Sequence, residues 1–177
     1  MDWWWVLVLV LLAVLVGLWL SWTAQRLDRV HHRIDVARAS LDTWLLRRSG
    51  AALELATSGT LDPARSLLLV DAAHAARAAE PDDLESAESD LSEALRAVLA
   101  DPDEVAALRE DPAVGPLLEE LAADCRRVEL ARRFHNDVVA SALSLRRNRV
   151  VRWFGLAGHA DLPVMVELDD SWPPTLP

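Results

Sequence analysis

The chain has 177 residues, enough for one compact domain and an additional segment. Its formal net charge of −10 argues against a nucleic-acid-binding protein, because such domains are usually basic. The single cysteine, Cys125, excludes an internal disulfide and fits a reducing compartment.

An apolar run opens the chain, and it holds no charged or strongly polar side chain from Trp3 to Leu20. Extended to Ala24 it would form ~33 Å of helix, enough to cross a hydrocarbon core ~30 Å thick. Tryptophans lie at both ends, as in interfacial aromatic belts: Trp3, Trp4, Trp5, Trp19 and Trp22. A cleaved signal peptide would need a basic start and small residues before the cut. The pattern therefore predicts an uncleaved transmembrane anchor.

Arginines follow this run and predict its orientation. Six occur soon after it: Arg26, Arg29, Arg33, Arg38, Arg47 and Arg48. Only Asp2 and the amino terminus precede it. The positive-inside rule then predicts a single-pass protein of the cell membrane, with the N-terminus outside and the C-terminal domain in the cytoplasm. The lipid bilayer is the first predicted partner.

The next helix is predicted from apolar residues at alternating spacings of three and four, a coiled-coil-like seam: Leu27, Val30, Ile34, Ala37 and Leu41. Gly50 and Gly59 are the first places where it could end. Whether it continues the apolar run as one helix is left open.

Helix-start signals predict the middle of the chain. Asp62 is placed to cap a helix that begins at Pro63, and Pro81 starts another. The steps Asp101-Pro102 and Asp111-Pro112 are expected to bracket a short helical turn.

A last long helix is predicted from a further apolar seam: Val114, Leu118, Leu121, Cys125, Val128, His135, Val139 and Ala142. Only PVMVEL near the end resembles a strand, and it is too short to pair alone. The predicted fold is all-α, an N-terminal transmembrane helix followed by an antiparallel bundle of three to four long helices. The predicted segments are an anchor in 1–24, the bundle in 25–155 and an extended tail in 156–177.

No catalytic motif is found, so no enzyme and no cofactor are predicted. The acidic clusters fit solvated helix faces better than metal sites, because adjacent residues on a helix diverge by about 100°. His74 and His135 are placed on the inner stripes of two helices, where packed histidines are expected rather than metal ligands. Cys125 is expected to be a core residue rather than a reactive thiol.

An arginine-rich stretch ends the last helix: Arg146, Arg147, Arg149 and Arg152. These side chains are candidates for contact with anionic lipid headgroups. The negative charge of the whole domain disfavours nucleic acid as their partner.

Several segments together resemble the LemA family. These are the N-terminal apolar run, the Leu-x-Arg-Arg motif at Leu45, Arg47 and Arg48, and the stretch ELARRFHNDVV. In that stretch Arg132, Asn136 and Val139 match a family motif, and His135 replaces its tyrosine. The residues after Arg48 depart from the family pattern. The resemblance implies a membrane-anchored bundle of long helices without established enzymatic activity. Arg132 and Asn136 are expected to hydrogen-bond to a neighbouring helix.

The sequence thus favours a membrane-anchored, non-enzymatic cytoplasmic scaffold or adaptor. The alternative is a peripheral module that binds anionic lipid through its arginine-rich stretch. The protein partner is not identified, and a homo-oligomer is left open.

Overall fold

The computed structural model describes residues 3–146 and 162–176, without the side chains of residues 20, 23–28, 30–31 and 145–146. These residues form five α-helices: α1 (Trp3–Thr57), α2 (Pro63–Ala78), α3 (Leu84–Val98), α4 (Pro102–Glu110) and α5 (Gly115–Arg146). No strand occurs in the two described ranges, and residues 162–176 have no regular secondary structure apart from a turn at 174–175. An all-helical fold of bundle type, as predicted, is confirmed.

The predicted N-terminal transmembrane helix is corrected by the structure. Across the described part of the chain, no helix combines the length and apolar character needed to cross a membrane. The apolar run belongs to α1, but its side chains are described without a gap only from Trp3 to Trp19. A typical hydrocarbon core takes ~20 apolar residues. The described residues therefore support the all-α bundle but not the transmembrane element of the predicted fold class, nor the single-pass description.

Local sequence signals explain most helix ends. α1 passes Gly50 and ends at Thr57, shortly before Gly59, whose φ of +80° is a conformation that glycine adopts at little cost. Asp62 caps α2 as predicted, since its side chain accepts hydrogen bonds from the backbone N–H groups of Ala64 (2.9 Å) and Arg65 (3.2 Å).

The structure contains two compact units. One comprises residues 1–37 and 137–165, and the other residues 38–136 and 166–177. In the first unit Ala37, Val139 and Ala142 are buried. The second unit holds the main hydrophobic core, to which every helix contributes; representative members are Leu55, Leu69, Leu95, Val105 and Leu118.

The predicted seam of α5 is confirmed residue by residue. All eight of its members are buried, with exposures between 0% and 5%. Its spacing is the periodicity of one helix face, so the sequence alone identified which side of α5 packs inward.

The turn between α4 and α5 depends on Gly115. A Cβ atom at this position would lie 2.5 Å from the carbonyl oxygen of Arg109. That oxygen belongs to the backbone, so it cannot move aside as a flexible side chain would. Position 115 therefore requires glycine, because a side chain there would collide with the backbone of Arg109.

We expect Gly115→Ala to lower the free energy of unfolding by about 1–3 kcal/mol, the usual cost of overpacking. Gly50→Ala is the matched control, because the nearest atom to its Cβ would be Arg77 Nη1 at 3.7 Å, an ordinary contact. Gly50 lies inside α1, so alanine there should raise stability by about 0.5–1 kcal/mol. Urea denaturation measures both, and equal effects of the two substitutions would contradict the account.

Candidate functional site: a buried arginine and a clamped C-terminal segment

Arg48 is a charged side chain buried in the core of the larger unit. It lies on α1 and is 1% exposed. Its guanidinium reaches α3, where Nη2 donates to Glu88 Oε2 at 2.5 Å and to the Glu88 carbonyl at 3.0 Å. Nη1 donates to Ser92 Oγ at 2.9 Å. Arg48 therefore fixes the position of α1 against α3.

The Arg48–Glu88 pair is isolated from water, because Glu88 is also only 2% exposed. Burial raises the pKa of Glu88, and the positive charge of Arg48 opposes that rise. Breaking such a pair leaves one uncompensated charge in the core, which is far more costly than replacing both partners. The pair therefore selects the position of α1 against α3 more than it adds to the free energy of unfolding.

Cys125 lies in the same core and is 1% exposed. Burial raises the pKa of its thiol to about 11. A thiol with that pKa is protonated at neutral pH, whereas reactive cysteines need thiolate character. Its burial in the main core confirms the expectation that Cys125 is a small packed side chain.

The residue beside Arg48 has a different environment. Arg47 is exposed, and its guanidinium carbon lies 5.3 Å from the ring centroid of Trp44. Arg127 of α5 approaches the same ring at 4.7 Å. Cation–π contacts of this kind contribute about 0.5–1 kcal/mol at exposed sites. The two arginines of the LemA-like motif thus differ: Arg48 is structural, and Arg47 lies at the surface.

The C-terminal segment, residues 166–176, packs against the bundle of the larger unit. Val166 and Leu168 are 1% and 7% exposed, and they pack in a cluster with Leu41, Leu45 and Val128. Further along, Leu176 is 4% exposed and belongs to the main core. Without helix or strand of its own, the segment is held by contacts with the helices.

Asn136 of α5 pairs with the backbone of this segment. Its Nδ2 donates to the Val166 carbonyl at 3.0 Å, and its Oδ1 accepts from the Val166 N–H at 2.9 Å. The side-chain amide therefore imitates a neighbouring strand and satisfies both polar groups of one residue. The expected bond from Asn136 to another helix is wrong, since the amide is used by the C-terminal segment.

Two acidic side chains of the segment are held by arginines. Arg132 forms a bidentate ion pair with Asp170. Its Nε lies 2.7 Å from Asp170 Oδ2, and its Nη2 lies 2.9 Å from Asp170 Oδ1. Arg96 of α3 contacts Asp169 at 2.8 Å and donates to the Ser171 carbonyl at 2.8 Å. Hydrogen bonds from Ser171, together with Arg96, lower the pKa of Asp169 to about 2. The Asp169 carboxylate is therefore ionised at neutral pH.

Backbone contacts continue along the segment. The Asp169 N–H donates to Ser89 Oγ at 3.0 Å, and Arg109 donates to the Thr175 carbonyl at 3.1 Å. Thr175 Oγ1 donates to the Leu99 carbonyl at 2.7 Å. Side chains of the helices therefore form hydrogen bonds with the main chain of the segment at four residues, Val166, Asp169, Ser171 and Thr175. This is the recognition mode of an extended peptide.

Other predicted residues are placed as follows. His135 is buried at 3% exposure, whereas His74 is exposed, so the expectation of two inward histidines is wrong for His74. The described residues contain no group of three or more potential metal ligands. Arg147, Arg149 and Arg152 lie outside the described residues, and Arg146 is described without its side chain, so the proposed lipid contacts stay a prediction.

Sequence reasoning missed Glu88, Ser89 and Ser92, which hold Arg48 and the C-terminal segment. A signal was present, because Glu88 and Ser92 interrupt the apolar stripe of α3 that contains Leu84, Leu91 and Leu95. A charged residue on a buried stripe implies a buried partner of opposite charge.

Comparisons with known protein families, with curated proteins and with solved structures gave no match. The resemblance to the LemA family therefore stays a prediction.

We expect Arg48→Met to lower the free energy of unfolding by about 3–5 kcal/mol, because Glu88 would remain buried without its partner. Arg48→Met combined with Glu88→Leu should recover most of this loss. Arg47→Met is the control and should change stability by under about 1 kcal/mol. Denaturant titration tests the set, and a double variant as unstable as the single one would contradict the assignment.

We expect Asn136→Ala to free the Val166 backbone, at a cost of about 1–3 kcal/mol for the two lost hydrogen bonds. Amide hydrogen exchange at Val166 should become faster. Asn136→Asp retains the acceptor oxygen for the Val166 N–H and should have a smaller effect on that amide. Unchanged exchange in the alanine variant would show that Asn136 does not hold the segment.

Proposed function

We propose that the protein is a non-enzymatic helical scaffold or adaptor, held at the cell membrane with its bundle on the cytoplasmic side. The proposal rests on one observation, the exposed apolar surface at the start of α1. A LemA-like character is part of this proposal and comes from the sequence resemblance alone.

Every large apolar side chain from Trp3 to Trp19 is at least 39% exposed, and Trp3 reaches 82%. Soluble monomers rarely expose a continuous apolar surface of this extent. Because the described chain does not cover this surface, it suits contact with an apolar phase. The arginines that follow it, including Arg29 and Arg33, favour the cytoplasmic side, where anionic lipids attract basic residues.

The scaffold part of the proposal is supported by the way the polar groups of the larger unit are used. Arg48, Glu88, Arg132 and Asn136 hold helices and the C-terminal segment together. These contacts maintain a shape. A bundle whose buried polar groups hold its own helices in place is suited to presenting its outer surface to a protein partner.

We expect the full chain to float with membranes in a density gradient, and Leu9→Arg combined with Leu12→Arg to shift it to the soluble fraction. The two guanidinium groups should weaken contact with an apolar phase, because a charged side chain loses its hydration there. Leu67→Arg combined with Leu130→Arg is the matched control, because those leucines are similarly exposed, at 61% and 64%, but lie in the bundle.

The control should float like the unchanged chain. The proposal of membrane attachment is overturned if the unchanged chain does not float, or if the substitutions at Leu9 and Leu12 leave flotation as it was. Circular dichroism of both variants checks that the helices are retained.

A further inference from the structure

The binding site of the C-terminal segment has the features of a peptide-recognition groove. Residues 166–176 lie along it without secondary structure of their own. Asn136, Ser89, Arg96 and Arg109 contact their backbone, while Val166 and Leu168 occupy an apolar cluster. Arg132 adds a selective contact to one carboxylate, Asp170. Main-chain contacts hold an extended ligand, and side-chain contacts select its sequence.

We propose that this groove also takes the C-terminal segment of a second copy of this chain, so that two copies join by exchanging their segments. Only the biological purpose of this exchange rests on the proposed scaffold function. The exchange itself requires only the groove and the segment.

The structure records the fit of the groove to the segment of its own chain, and a second copy is inferred as the other occupant because it carries the same segment. The groove combines an apolar cluster, a two-pronged arginine for one carboxylate and a second arginine for the adjacent carboxylate. The segment supplies Val166, Leu168, Asp169 and Asp170 in matching order. A second copy carries the same segment and groove, so a reciprocal exchange would reproduce every contact in both copies. This is the isologous arrangement of a two-fold symmetric dimer.

Exchange is favoured by how the segment is attached. No helix or strand ladder joins residues 166–176 to the rest of the bundle, and Glu167, Ser171 and Pro174 remain exposed. The segment is anchored by the buried side chains of Val166, Leu168 and Leu176 rather than by a helix or a strand ladder, so it can detach without unfolding a helix. The chain's own segment has the advantage of a high effective concentration, so the exchanged form requires a high protein concentration or a weakened internal contact.

A charge-swap pair tests the exchange in the full chain in mild detergent. In Asp170→Arg the segment no longer fits its own groove, and in Arg132→Asp the groove no longer fits its own segment. When the two variants are mixed, Asp170 in the segment of the Arg132→Asp chain can pair with Arg132 in the groove of the Asp170→Arg chain. The arginine introduced into the segment of the first variant in turn matches the aspartate introduced into the groove of the second.

The expected result is a heterodimer in the mixture, measured as a doubled mass by light scattering and as co-purification of two different tags. Each variant alone should remain monomeric. Arg133→Asp replaces Arg132→Asp in the control mixture, because Arg133 is paired with Glu129 on its own helix and its side chain is 66% exposed. That mixture should give no heterodimer above the level of the separate variants. A monomeric mixture of the charge-swap pair overturns the proposal.

A peptide measurement covers the case in which Arg132→Asp does not fold. A labelled peptide of residues 162–177 should bind the folded Asp170→Arg chain, measured by fluorescence anisotropy. The same peptide with arginine at position 170 should bind at least tenfold more weakly. No binding, or equal binding of the two peptides, overturns the proposal. Because the readout is peptide binding and mass, it is independent of whether the chain floats with membranes.

Discussion

The buried guanidinium of Arg48 is the constraint on which the larger unit depends. At 1% exposure it cannot be hydrated, so the helices around it have to supply both a carboxylate and neutral acceptors. Glu88 and Ser92 supply them from consecutive turns of α3. A shift of α3 by one residue would separate these groups, so the ion pair selects one register of α1 against α3. The apolar side chains of the core then pack around that register.

The same principle extends to the C-terminal segment, where polar side chains again decide position. Apolar contacts of Val166 and Leu168 give the segment affinity for the bundle but little directional preference. Asn136 and Arg132 supply the direction, because one satisfies a single backbone unit and the other a single carboxylate. Both lie on α5, so this helix contributes one face to the core and neighbouring positions to the recognition of the segment.

Sequence reasoning succeeded where the physical cause is local. The cap by Asp62 depends on groups within three residues, and the α5 seam depends only on helical periodicity. It failed for His74, which directly follows the buried Ala73 and is therefore turned about 100° away from the inward face. It failed for Asn136 because the partner of that amide lies 30 residues away, in a stretch without secondary structure. The transmembrane interpretation was based on hydropathy, and no helix in the described part of the chain is both long enough and apolar enough to meet that criterion.

By itself the sequence determined the helical class, the starts of α2 and α4 and the inward face of α5. These features follow from backbone capping and from the period of a helix, which neighbouring residues fix before any tertiary contact forms. Only the tertiary structure decided which carboxylate Arg48 meets, where Arg132 and Asn136 bind, and how residues 166–176 lie on the bundle. Those choices depend on groups between 30 and 80 positions apart, whose meeting is set by the packing of whole helices.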